Sequence, residues 1–160
     1  MTTPPLLSAL QHELEQLMRF IDLLEREQNA LIANTLAELE DFAKQKAGYA
    51  QTLESLAKER RRLFEVNGVE LSPDPPHPLL KARFLPDDAV PAVALCWQQL
   101  MQAARQASAF NETNGHLIDT RQQQNQQLMA LLQSSQNSTL SYDAYGQPRL
   151  SRPGGLISKV

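Results

Sequence analysis

Leu10-Gln-His-Glu-Leu14-Glu-Gln-Leu17-Met-Arg-Phe-Ile21-Asp-Leu-Leu24 decides the fold. Its large apolar residues return at steps of four, three, four and three, and Leu31 extends the series, with Gln28 in the one vacant slot. A helix places such residues on one seam, whereas a strand repeats every two residues. Pro4 and Pro5 stand just upstream, where a first helical turn tolerates a missing N–H. The spacing predicts a helix over about residues 5–33.

A second run has the same spacing in a shifted phase: Leu39, Phe42, Lys46, Tyr49, Leu53, Leu56, Arg60 and Leu63. The slip implies a kink or short turn near residues 33–35. Thr35 with Glu38 three residues on offers a capping box. Asn67-Gly68 supplies a left-handed end. The second helix is therefore expected over about residues 35–66.

Residues 69–87 hold four prolines between Pro73 and Pro78, which excludes a long helix and reads as a connector with one helical turn near Leu79–Phe84. The third helix is expected over about 88–134, with Asp88 as N-cap and Pro91 at the third helical position. Its stripe runs Val90, Val93, Trp97, Leu100, Ala104, Ala107, Asn111, Asn114, Ile118, Arg121, Asn125, Leu128 and Leu132, and turns polar in its second half. Residues 137–160 carry Ser, Asn, Gly and Pro with little periodicity, as a flexible tail does. The fold class is all-α. An elongated antiparallel bundle, or coiled coil, of three long helices spans 1–136, followed by that tail.

Composition narrows the function. The chain has 160 residues, enough for one domain, with 6% aromatic residues and a net charge of −3. Few rings suit helix-on-helix packing, and the charge argues against nucleic acid as the main partner. Cys96 is the single cysteine, so no intrachain disulfide forms, and a reducing compartment fits. No apolar stretch reaches membrane-spanning length, and the N-terminus lacks a secretory pattern. A cytoplasmic location follows as the expectation.

Catalytic chemistry finds no foothold. His12, His77 and His116 are scattered, with no metal-ligand spacing. No glycine-rich phosphate loop is present, and Glu38, Glu40 and Asp41 read as a solvated helix surface. Neither an enzyme, a metal nor a cofactor is expected. Arg60-Arg61-Arg62, with Lys58, suits the negative end of a helix dipole, or else a docking patch for an acidic partner. Asn111-Glu-Thr-Asn114-Gly115-His-Leu117-Ile118 is the most specialised segment. Two seam asparagines and a helical glycine each cost stability. They suit either a close helix crossing, with Gly115 admitting a neighbouring backbone, or direct partner contact.

That segment resembles the signature of the FlgN family of flagellar export chaperones. Other features agree in order: the Leu-rich first helix leading to Glu25 and Glu27-Gln28, then Lys46, Arg60-Arg61-Arg62, and Trp97 before Leu100. The tail Tyr142-Asp-Ala-Tyr145-Gly146-Gln147, with Gly154-Gly155 beyond, is similar to the family's tyrosine–glycine tail. The resemblance covers nearly the whole chain. The prolines at 73–78 make this connector longer than the family's.

The resemblance implies a cytoplasmic chaperone that binds the C-terminal helices of the hook–filament junction proteins FlgK and FlgL. It would keep them unassembled and bring them to the export gate component FlhA, using neither ATP nor metal. Asn111, Asn114 and Gly115 carry the signature. Leu117, Ile118, Leu128, Leu131 and Leu132 are the expected client anchors, with Trp97 and Leu100 mostly structural. Tyr142 best matches the family's gate-contacting tyrosine, with Tyr145 as the alternative. The periodicity alone serves a coiled-coil adaptor with an unrelated partner equally well, and an exposed seam leaves homo-oligomerisation open.

Overall fold

A computed structural model describes residues 3–136, 140–142 and 148–150 of the chain. It is a helical bundle of three long helices. α1 spans Pro5–Ile32, α2 Leu39–Val66 and α3 Val90–Gln136. Two small antiparallel hairpins accompany them, β1 (Val69–Leu71) with β2 (Leu79–Ala82), and β3 (Leu140–Tyr142) with β4 (Pro148–Leu150). The chain divides into two compact units, Met1–Gly115 and His116–Val160.

In the first unit, α1 and α2 run antiparallel and the first half of α3 returns beside them. Leu6, Leu10, Leu17, Ile21 and Leu24 of α1 meet Leu63 and Phe64 of α2 and Val93, Trp97 and Leu100 of α3 in one core. A satellite cluster of Leu23, Ala30 and Phe42 closes the far end of the α1–α2 pair. The seam read from the sequence is thus the core seam.

The break between α1 and α2 falls at Ala33–Thr35, where Asn34 takes a left-handed φ of 60° and Thr35 N–H returns to the Ala30 carbonyl at 2.8 Å. The capping box does not form. A 3-10 turn over Leu36–Glu38 leads into α2, and the residue at its N-cap, Glu38, makes no side-chain cap bond. The N–H groups that open α2 thus follow a tight 3-10 turn in place of a capping side chain.

α2 ends as its glycine predicts. Gly68 has φ +63°, and a Cβ there would lie 2.9 Å from the Arg83 Cβ. Asn67 Nδ2 donates to the Leu63 carbonyl at 2.7 Å. The connector is not helical near Leu79–Phe84. Leu79–Ala82 is a strand, because Val69–Leu71 supplies partners for its backbone, and Arg83 and Phe84 N–H extend the pairing to the Gly68 and Asn67 carbonyls. Ala82 and Leu85 turn inward onto the core. α3 begins at Val90, two residues after the expected cap, which puts Pro91 at its second position, where its missing N–H costs nothing.

The second unit contains the last turns of α3 and the β3–β4 hairpin, whose register pairs Leu140 with Leu150 and Tyr142 with Pro148. The rest of the sequence assigned to a flexible tail lies outside the described residues. Among the described residues, no helix is long and apolar enough to cross a membrane.

Candidate functional site

Two buried ion pairs lock α1 to α2. Glu13 Oε2 accepts from Arg60 Nε at 2.9 Å, and Glu27 Oε1 accepts from Lys46 Nζ at 3.2 Å. Both carboxylates lie in the core face of α1, and Glu27 is only 2% exposed. The glutamates are fourteen residues apart, as are their cationic partners on the antiparallel helix. Two heptads separate the pairs on each side, so both lie on the same seam.

Arg60 therefore does not serve the helix dipole. α2 ends at Val66 with no basic residue in its last turn. The Arg60 guanidinium lies 5.8 Å from the Phe64 ring centre and 5.1 Å from that of Trp97, whose ring meets Phe64 edge-on. Arg62 instead pairs with Glu59 on the exposed side, and this contact lowers the Glu59 carboxyl below its usual range and raises the Arg62 guanidinium.

Trp97 and Leu100 are structural. Both are buried, and Trp97 Nε1 donates to the His77 carbonyl at 2.9 Å. That bond fastens the proline-rich hairpin to α3. His77 holds the turn itself, with its N–H on the Asp74 carbonyl and its ring Nδ1 2.9 Å from the Ser72 carbonyl. Cys96, beside Trp97, is buried, and burial first, then the Glu13 carboxylate, pushes its thiol upward.

The signature residues separate. Asn114 is fully buried, and its Nδ2 donates to the Leu24 carbonyl at 2.8 Å and to Glu27 Oε1 at 2.9 Å. It therefore ties α3 to the same carboxylate that Lys46 reaches from α2. Asn111 is exposed instead of lying on the seam, and Phe110 packs against the core at that level. Gly115 admits no neighbouring backbone: nothing lies within 4 Å of a Cβ built there. Of the three signature residues, Asn114 is the one buried in the crossing.

Beyond Gly115 the apolar residues of α3 lose their cover. Leu117 and Ile118 are half-buried. Leu128, Met129, Leu131 and Leu132 are all exposed, Leu131 by 66%. Met129 belongs to this group and was not singled out in the sequence, although its place beside Leu128 was signal enough. Among the described residues no cluster of three metal-binding side chains occurs. Tyr142 is in β3, and Tyr145 lies outside the described residues.

Comparison with known families finds a match over residues 1–149 to the family model described as FlgN protein. No curated protein and no solved structure gives a match.

Proposed function

The chain belongs to the FlgN family of flagellar export chaperones, and on that premise we propose that it shields the C-terminal helices of FlgK and FlgL and hands them to the export gate. Families of this kind bind hook-associated proteins and are not enzymes. The specific clients, the gate component FlhA and a cytoplasmic place of action are the finer parts of the proposal.

One observation carries the reading. Leu128, Met129, Leu131 and Leu132 expose four large apolar side chains within five residues at the end of a helix. Monomeric proteins rarely leave such a group uncovered unless it docks a partner. A client's terminal helix has an apolar face of its own, and a chaperone helix offering anchors at three- and four-residue steps completes a mixed bundle with it. Leu117 and Ile118 extend the anchor set toward the first unit. Asn111, Asn114 and Gly115 then divide: Asn114 secures the helix, and Asn111, exposed, is free to face a partner. In the tail, Tyr142, with Tyr145 as the alternative, serves the gate contact.

Calorimetry with a synthetic peptide of the FlgK C-terminus tests this. A one-to-one complex is expected for the full chain, with affinity lost in Leu128→Ala plus Leu131→Ala. Unchanged binding in that double variant sinks the anchor assignment, and no binding by the intact chain favours an adaptor with an unrelated partner. Tyr142→Ala is expected to spare the peptide and weaken binding to the FlhA cytoplasmic domain. Equal loss of both contacts would overturn the division.

A further inference from the structure

Within the first unit, the tip of the β1–β2 hairpin and the start of α3 enclose a cleft of about 590 Å³. Pro76, Pro78 and Leu79 line it from the hairpin, and Ala94, Leu95 and Met101 from the helix. Leu95 is 55% exposed, so the cleft offers an apolar surface that this chain leaves uncovered. Leu95, Gln98, Gln102 and Arg105 follow at steps of three, four and three and share one edge of α3.

Arg105 is the sole charged residue between Ala89 and Asn111, and no acidic side chain lines the cleft. It is exposed and has no ion pair among the described residues. An apolar cleft that ends on a guanidinium without a counter-charge suits an apolar ligand carrying one carboxylate, which a guanidinium holds through two parallel hydrogen bonds. Gln98 and Gln102 narrow the class of ligand. Both are exposed, and they stand about 6 Å apart along the axis, close to the ~6.8 Å at which an extended chain repeats its main-chain groups on one edge. A helical ligand satisfies its main-chain groups internally, whereas an extended one leaves them free for the two amides. Arg105 follows Gln102 by about 4.5 Å, and no lining residue of α3 lies beyond it. The carboxylate that meets it therefore stands at the end of the bound stretch.

We propose that this cleft captures the extended, apolar C-terminal end of a partner protein. The partner's α-carboxylate pairs with Arg105, and its last main-chain amides bond to Gln98 and Gln102. Alternate side chains enter between Leu79, Leu95 and Met101. This site is independent of the client reading, which concerns helical segments and residues beyond Gly115.

Trp97, the sole tryptophan, lines the cleft and reports on it by fluorescence. The test titrates the full chain with the acetylated tetrapeptide Ala-Leu-Ala-Leu bearing a free carboxylate, with the same peptide amidated, and with octanoate. The free-acid peptide is expected to bind with a dissociation constant of ~1 mM or below, and the amidated one about tenfold more weakly. Arg105→Gln should make the two peptides bind alike. Leu95→Asp should weaken both, and circular dichroism checks that each variant keeps its helices. No response to ~5 mM free-acid peptide overturns the proposal. So does equal binding of the two peptides to the wild type, or a preference for the free acid that survives Arg105→Gln. Octanoate as tight as the peptide would make this a site for small amphipathic carboxylates instead. A dissociation constant that climbs with protein concentration would give the cleft to a second copy of the chain, and either result overturns peptide capture.

Discussion

Glu13 and Arg60 face each other across the α1–α2 seam at 2.9 Å, both largely cut off from water, with the Phe64 and Trp97 rings against the guanidinium. A buried charge is tolerated only while its partner is present. Arg60→Ala is therefore expected to cost about 3 kcal/mol of unfolding free energy, because it strands the carboxylate and empties the space between the rings. Glu13→Leu with Arg60→Met should recover most of that loss. Urea denaturation of the two variants decides it. A single substitution milder than the double one would mean the pair is not desolvated as the structure has it.

Asn114 joins the second pair. Its Nδ2 reaches two acceptors, Leu24 O and Glu27 Oε1, so the amide cannot be turned without facing oxygen with oxygen. Asn114→Ala should destabilise by about 1–3 kcal/mol. Asn114→Asp should cost more, since it sets a second carboxylate against Glu27. If the aspartate variant proves the milder, Glu27 is not the group that Asn114 serves.

The seam was legible where packing is apolar. Leu10, Leu17, Ile21 and Leu24 sit in the core as their spacing required. Glu13 and Glu27 were not read as buried, since a carboxylate on a helix is usually solvated. Their signal was there: two cations fourteen apart on the second seam, Lys46 and Arg60, with two glutamates fourteen apart on the first. The β1–β2 hairpin escaped because strands of three and four residues carry no period to read. Asn111 and Asn114 looked alike because a stripe can step by three or four. Only the packing of Phe110 shows which step the helix takes.

The glycines give opposite expectations. Gly115 and Gly48 lie inside helices with nothing within 4 Å of an added Cβ. Either one replaced by Ala should gain about 0.5–1 kcal/mol. Gly68→Ala should lose at least about 1 kcal/mol, since φ is +63° and the new methyl meets Arg83. Thermal melts of the three variants check the signs. A loss at Gly115 would restore the close crossing that the sequence suggested.

Cys96 offers a chemical reading of the core. Burial and the nearby Glu13 carboxylate both disfavour the thiolate, holding the group above its ordinary value of 9.0. In the unfolded chain the same thiol ionises at that ordinary value. The unfolded state therefore gains a stabilising deprotonation first as pH rises, and the contribution of Cys96 to stability, whole below that value, is lost above it. Wild type should lose stability faster than Cys96→Ala once pH passes about 9, with the two curves parallel below. At pH 8 an aromatic disulfide reagent should modify the native thiol at least about tenfold more slowly than in urea-unfolded chain, as expected of a thiol kept protonated and shielded. Equal rates in the two states would mean that the α1–α3 contact over Cys96 opens freely, and that Glu13 is not held beside it.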